Sequence, residues 1–195
     1  MKHLSIVLLI AITASLTAFT LKDTGYKFDS QKSKITWVGK KVTGQHAGTI
    51  NLAEGTLTSK GKKITGRSFS IDMTSLKDEG ANTRLEDHLK SDDFFSTEKH
   101  PKATFVISTI ESKGGDQYAV KGKLTIKGIT NEIEFPSTIQ ITNDQVNAKA
   151  KIIVDRTKFD IKFRSGNFFE NLGDKAIEDN FELNVELVGS SAQQS

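Results

Sequence analysis

A chain of 195 residues with a formal charge of +3 and no cysteine is long enough for one domain with its own core, and it can form neither a disulfide nor a thiolate nucleophile. Its 27 Lys and Arg are interleaved with 24 Asp and Glu, as in Glu132-Ile133-Glu134 and Lys149-Ala150-Lys151. That makes a mixed, solvated surface and excludes the basic footprint of a nucleic-acid binder.

The chain opens with Lys2 and His3 ahead of an apolar run from Leu4 to Ala18, and polarity returns at Lys22 and Asp23. This is the shape of a secretory signal peptide. Residues 1–20 are assigned to it, with Ala18 and Thr20 as the small residues ahead of a cut before Leu21. An uncleaved anchor is the alternative, because Leu4–Leu21 just reaches spanning length. Thr13, Ser15 and Thr17, and the absence of a flanking aromatic belt, favour cleavage. With no cysteine, no lipid can be attached to one. The expectation is a periplasmic or secreted protein whose mature form does not insert in a membrane. About 175 residues remain, one domain on length alone. That domain is assigned to residues 21–189, and residues 190–195 form a polar tail expected to be disordered.

From there the chain alternates apolar and polar residues, the period-two mark of half-buried strands. Ile35 and Trp37 share a face. Phe69, Ile71 and Met73 oppose Ser68, Ser70 and Asp72, and after Pro101 the pattern continues through Phe105 and Ile107. Tyr118, Val120, Leu124 and Ile126 oppose lysines, and Ile133 and Phe135 oppose Glu132 and Glu134. Val146 to Val154 and Phe181 to Leu187 repeat the pattern. Breaks at Gly44 to Gly48, Gly55, Lys60-Gly61, Gly114-Gly115, Lys127-Gly128 and Thr142 to Asp144 read as turns. Pro101 and Pro136 read as strand ends. Eight or so antiparallel strands at short spacing close into a barrel or stack as a sandwich.

Two segments depart from the pattern. Between Asn82 and Ser91, Leu85, His88 and Leu89 fall on one helical face. Asn82 or Thr83 is positioned to cap that helix, and Glu86 stands at capping-box distance from Thr83. Phe94 and Phe95 follow it directly. Between Ser165 and Lys175, Phe168, Phe169 and Leu172 are too apolar for a bare loop. Both segments read either as lids on an apolar interior or as loops folded onto an ordinary core.

Catalytic frameworks are missing. His46, His88 and His100 have no helical ligand spacing, there is no HExxH, and Ser165-Gly166 lacks the glycine of a nucleophile elbow. Neither an enzyme nor a cofactor is expected. Arg156, at the end of the run closing on Val154, has two readings: a rim pair with Asp155, or a donor to an anionic or polar lipid head. An apolar barrel interior suits an alkyl or isoprenoid chain. The residues leave two rivals open, an envelope or stress-associated protein with a solid core and a hydrolase acting on an apolar substrate.

A series of short motifs stands in order along the chain: Trp37-Val-Gly39, His46-Ala-Gly48, Phe69-Ser-Ile-Asp72-Met73 and His88-Leu-Lys-Ser-Asp-Asp-Phe-Phe95. His100-Pro-Lys-Ala-Thr-Phe105, Gly122-Lys-Leu-Thr-Ile-Lys-Gly128, Asp155-Arg156-Thr157 and Ser165-Gly166 complete it. In this ordered set the chain from about Tyr26 to Val188 resembles the YceI-like family. The resemblance implies an all-β fold with one short helix, an extended, lipocalin-like, eight-stranded antiparallel barrel. It also implies a long isoprenoid or other amphiphilic lipid as the ligand, and a bacterial periplasmic or secreted location. The candidate ligand-binding set is Trp37, Phe69 and Ile71, then Leu89, Phe94 and Phe95, then Phe105 and Ile107. It continues with Tyr118, Val120, Leu124, Ile126 and Phe135, and ends with Arg156, Phe168 and Phe169. Asp160 departs from the family pattern, which has glycine after Arg-Thr-x-Phe, so local backbone shape is in question there. No nucleic-acid partner is expected, and no oligomeric state is fixed.

Overall fold

The computed structural model describes residues 23–60, 63–142 and 144–192, and within them nine strands and one α-helix. The strands are β1 (Asp23–Phe28), β2 (Lys34–Lys41), β3 (Gly44–Lys60), β4 (Lys63–Asp78), β5 (Lys102–Gly114), β6 (Gln117–Ile126), β7 (Ile129–Ile141), β8 (Gln145–Asp155) and β9 (Ile177–Ser191). Helix α1 (Thr83–Lys90) joins β4 to β5. The assigned leader, residues 1–20, lies outside the described residues, as do the last three residues of the tail.

All pairings are antiparallel. The order β3-β2-β9-β8-β7-β6-β5-β4 returns from β4 to β3 and closes an eight-stranded barrel. Closure removes the exposed edges that an open sheet leaves as templates for aggregation. The extra strand, β1, wedges between the second half of β3 and the end of β9, pairing Tyr26 with Leu57 on one side and with Ser191 on the other. It continues the line of β2 across a turn in which Asp29 Oδ1 accepts from the Gln31 and Lys32 amides. This pairing corrects the expected tail: Ser190 and Ser191 are ladder residues, and the Ala192 amide donates to Gly25.

Two more expectations are corrected. Gly44 to Gly48 and Gly55 lie inside β3 and are not turns. At Gly55 a Cβ would stand 2.9 Å from the Phe69 ring and 3.1 Å from Phe28, so the residue is small because two aromatic rings pack on it. Pro136 lies within β7 and does not end it. The β7–β8 ladder starts only at Ser137 and Ala150, so the missing Pro136 N–H removes no bond to β8.

The two ends of the barrel differ. At one, Tyr26, Phe28 and Val146 are buried, and the Tyr26 hydroxyl donates to the Thr142 carbonyl at 3.1 Å. At the other lie α1, the β2–β3 hairpin, the Ser91–Pro101 loop and the long 156–176 connection. Asn82 caps α1, its side chain accepting from the Leu85 amide. The expected capping box does not form. Glu86 instead turns back to β4, accepting from Lys77 Nζ at 2.8 Å and from the Asp78 amide at 3.1 Å. Those two donors, the lysine first, hold the Glu86 carboxyl below the usual carboxylate range. This buried carboxylate ties the helix to the barrel rim.

Candidate ligand-binding cavity

The barrel interior is not solid. A cavity of about 270 Å³ runs through it, lined by side chains from all nine strands and α1. That is far above the roughly 10–15 Å³ that holds one water and near the low end of small-molecule pockets. Its wall is the apolar phase of each strand. Phe69 and Ile71 come from β4, Phe105 and Ile107 from β5, Val120, Leu124 and Ile126 from β6, and Phe135 from β7. Phe105 and Phe135 meet with ring centroids 5.5 Å apart. Gly122 on β6 makes room for them, since a Cβ there would stand 2.7 Å from the Phe105 ring.

The helical end forms a roof. Leu85, Leu89, Phe94 and Phe95 line the cavity, and Phe95 sits edge-on to Phe181 at 6.2 Å. Phe94 is locked from above by two further rings, His88 at 5.1 Å and Phe163 at 5.4 Å. The turn beneath them is held by Asp92, which accepts from Ser96 Oγ and from Lys99 Nζ, and those contacts, the lysine first, lower its pKa.

Beside the roof the lining reaches Gly39, Lys41, His46, Glu178 and Asn180. Most of these are exposed, so the cavity runs out between the β2–β3 hairpin and the start of β9. Gly39 shares the inward phase of Ile35 and Trp37, and a Cβ there would meet nothing within 4 Å. One step inward, Trp37 is 8% exposed and lines the cavity. Its ring lies against Gly48, where a Cβ would stand 1.9 Å from the Lys77 carbonyl and 2.6 Å from the indole. The Trp37 Nε1 donor is buried without a protein acceptor, a condition that costs about 1–3 kcal/mol.

Arg156 requires a correction. It borders the cavity, but its guanidinium is engaged elsewhere: Nε donates to Glu178 O, Nη1 to Ile161 O at 2.7 Å, and Nη2 to Ile177 O and Asp179 Oδ1. Burial pulls its pKa down against the opposing pull of Asp179 and Asp155, and it is only 4% exposed. It is a clamp fastening the 3₁₀ turn Arg156–Phe159 to β9, not a free donor for a lipid head. Its ion partner is Asp179. Asp155 instead accepts from the Thr157 amide and hydroxyl.

Three more expected site residues do not reach the cavity. Tyr118 packs partly buried near the Gly114-Gly115 turn, at the end filled by β1. Phe168 and Phe169 are each 50% exposed, Phe168 lying under Lys162 Nζ at 5.0 Å, so neither is part of the roof. Phe163 is the late-loop aromatic that is. The sequence reading passed over Ile50, Leu52 and Leu57 on β3, and it read the alternation of β8 and β9 but left their cavity faces, Ala148 to Ile152 and Phe181 to Leu187, out of the candidate set. On β3 the register shifts between Leu52 and Glu54, and such a bulge destroys the alternation that marks a strand.

The pattern describing the YceI-like domain matches residues 26–189. The chain is 25% identical over 126 residues to a UPF0312 protein of Shewanella sp. strain W3-18-1, covering 65% of this chain and 64% of that one. It is 30% identical over 92 residues to Protein YceI of Escherichia coli, covering 47% and 48%. The matches thus span about half to just under two thirds of these curated relatives. Among solved structures, BcnA of Burkholderia cenocepacia superposes with a TM-score of 0.67 at 25% identity, covering 83% of this chain and 98% of that one. A polyisoprenoid binding domain of Saccharophagus degradans superposes with a TM-score of 0.67 at 13% identity, covering 86% and 98%, which shows the shared fold. A closed barrel around an apolar cavity, with the family pattern running through nearly all of its described length, places this chain in the YceI-like family.

Proposed function

We propose that this protein binds one long apolar or amphiphilic lipid, of the isoprenoid type, inside the barrel and shields it in the bacterial periplasm for carriage or storage. The observation that carries this reading is the cavity of about 270 Å³, walled by apolar side chains from every strand. Water competes poorly for such a space, so transfer of an alkyl or prenyl chain into it is favourable. The roof of Leu85, Leu89, Phe94 and Phe95 covers the tail, while the head stays near the Gly39 and Lys41 mouth. The polyisoprenoid binding domain of Saccharophagus degradans lends support, and so does the apolar run at the N-terminus, which suits export. The reading is binding without catalysis. A solid-core envelope protein is disfavoured by the cavity itself.

Native mass spectrometry of freshly purified protein tests the proposal. A persistent added mass, released by organic solvent and identified as a lipid, is expected. A protein that stays at its bare mass even after incubation with prenyl lipids overturns it.

A further inference from the structure

The extra strand supplies the floor of the cavity. Phe28 is the one residue of β1 that lines it, and it is 4% exposed. Tyr26, the next residue on the same face toward the closed end, is equally buried but lies outside the cavity lining. The Phe28 ring spans two bare stretches of backbone. A Cβ on Gly189 of β9 would stand 3.1 Å from its Cδ1, and a Cβ on Gly55 of β3 would stand 3.2 Å from its Cδ2. On its cavity side the ring meets the wall residue Phe69, with centroids 5.2 Å apart. Side chains at the two glycines would take the place that this one ring occupies.

The ring is held in that place from behind. Phe28 pairs with Gly189, and the Asp29 amide that follows donates to the Val188 carbonyl at 2.9 Å. The Ser33 amide donates to the Asp29 carbonyl, and Ser33 Oγ accepts from the Val188 amide at 3.2 Å. The backbone around the ring is therefore fastened to β9. Below it a second layer is closed: the Tyr26 hydroxyl is spent on the Thr142 carbonyl, and Val146 is fully buried. Forcing further carbons into a packed layer strains it. A chain that enters by the Gly39 and Lys41 mouth and descends to Phe28 has no room beyond it.

Resting on the lipid-binding reading, we propose that Phe28 is the stop against which the tail end of the lipid comes to rest, so that β1 sets the longest chain the barrel accepts. Phe28 is a specificity residue in this arrangement, selecting by length and indifferent to the head. A shorter tail leaves apolar wall unfilled, and each methylene left unburied weakens binding about fourfold. A longer tail leaves its extra carbons in water at the mouth and gains nothing for them.

Full-length protein is titrated with a ladder of prenyl alcohols, from geraniol through farnesol and geranylgeraniol to geranylfarnesol, delivered from cyclodextrin. Affinity is expected to climb with each unit up to the length that reaches Phe28, and then to level off or fall. Phe28→Ala removes the ring above the Tyr26 layer. It should move the break one unit longer and raise the affinity of the next prenol, relative to the last one wild type accepts, by about tenfold or more. Should that variant fail to fold, Phe28→Leu is titrated in the same way, with a smaller gain in the same direction expected. In wild type, nuclear Overhauser contacts are expected between the terminal methyls of the longest accepted prenol and the Phe28 ring. A break at the same length in wild type and variant, a climb with no break, or terminal methyls that touch the roof and not Phe28 overturns the assignment and leaves lipid binding standing. If no prenol of any length enters, the lipid-binding reading falls and this inference with it.

Discussion

A guanidinium bonded to three carbonyls and a carboxylate has almost no donor left for a ligand, and Arg156 is in that position. Arg156→Met should therefore cost stability heavily, on the order of 3–5 kcal/mol as for other broken buried pairs, because it strips three carbonyls of their donor and leaves Asp179 with Asn167 alone. Chemical denaturation measures this. Arg156→Lys, where it folds, should retain lipid affinity, and a selective loss of binding there would restore the head-group role. Gly39 is the opposite kind of residue, since nothing lies within 4 Å of where its Cβ would be. Gly39→Leu should leave the melting temperature nearly unchanged and slow lipid uptake several-fold by filling the mouth, as stopped-flow with a fluorescent prenyl probe would show. Asp160 takes the place of the family's glycine and adopts a left-handed φ of 58°. The deviation seen in the sequence thus keeps the glycine-like backbone, because Asp tolerates that region better than most residues.

The roof separates elements that hold the cap from elements that only look as though they should. Phe94 is buried between His88, Phe163 and the cavity, so Phe94→Ala should cost about 3–5 kcal/mol and also speed lipid exchange. Phe168→Ala should change stability by no more than about 0.5 kcal/mol and leave exchange alone. Equal effects of the two variants would show that the late loop closes over the cavity after all. Helix α1 was legible from Leu85, His88 and Leu89 because 3.6-residue spacing survives in eight residues. Strands β6 to β9 were legible because alternation there is unbroken over the cavity, whereas β4 and β5 were legible only at Phe69 to Met73 and Phe105 to Ile107, since the inward phase then jumps to Leu76 and to Ile110. β3 was misread at Gly48 and Gly55, which stand beside register shifts of the β3–β4 ladder and are small because the Trp37 and Phe69 rings pack on them, whereas Gly44 closes the β2–β3 hairpin opposite Lys41. The choice among Phe163, Phe168 and Phe169 was not legible. In an irregular segment no period says which side chain points in, and only the folded path, fixed by Arg156 and Asp179, decides it.

At the scale of the whole molecule, the apolar interior is matched by an outer surface of cross-strand ion pairs. Glu182 is its centre, accepting from Lys151 and Lys40, which together lower its carboxyl from an ordinary 4.5 to about 2. A carboxyl depressed in the folded state stabilises fully above its unfolded value, and that contribution disappears as pH falls through the folded one. The melting temperature should therefore drop between about pH 4.5 and pH 2, and Glu182→Gln should lose less across that window than wild type. An identical slope in the two proteins would mean that the pair contributes nothing.

The last of the described strands completes the ladders of the first two. β9 pairs with β1, with β2 and with β8, so until residues 177–191 are available the first two strands have no partner on that side. Folding is thus set by contacts between the chain's beginning and its end, the topology that slows two-state folders most. The chain must stay unfolded, or be held so, until the fifteen residues of β9 arrive. Truncation within β9 should then produce an aggregating species and not a weaker barrel. Conversely, the two ends lie side by side at Tyr26 and Ser191. A permuted gene that joins them and opens the Gly114-Gly115 turn would make β9 an early strand and should hasten assembly, measurable as a faster refolding phase.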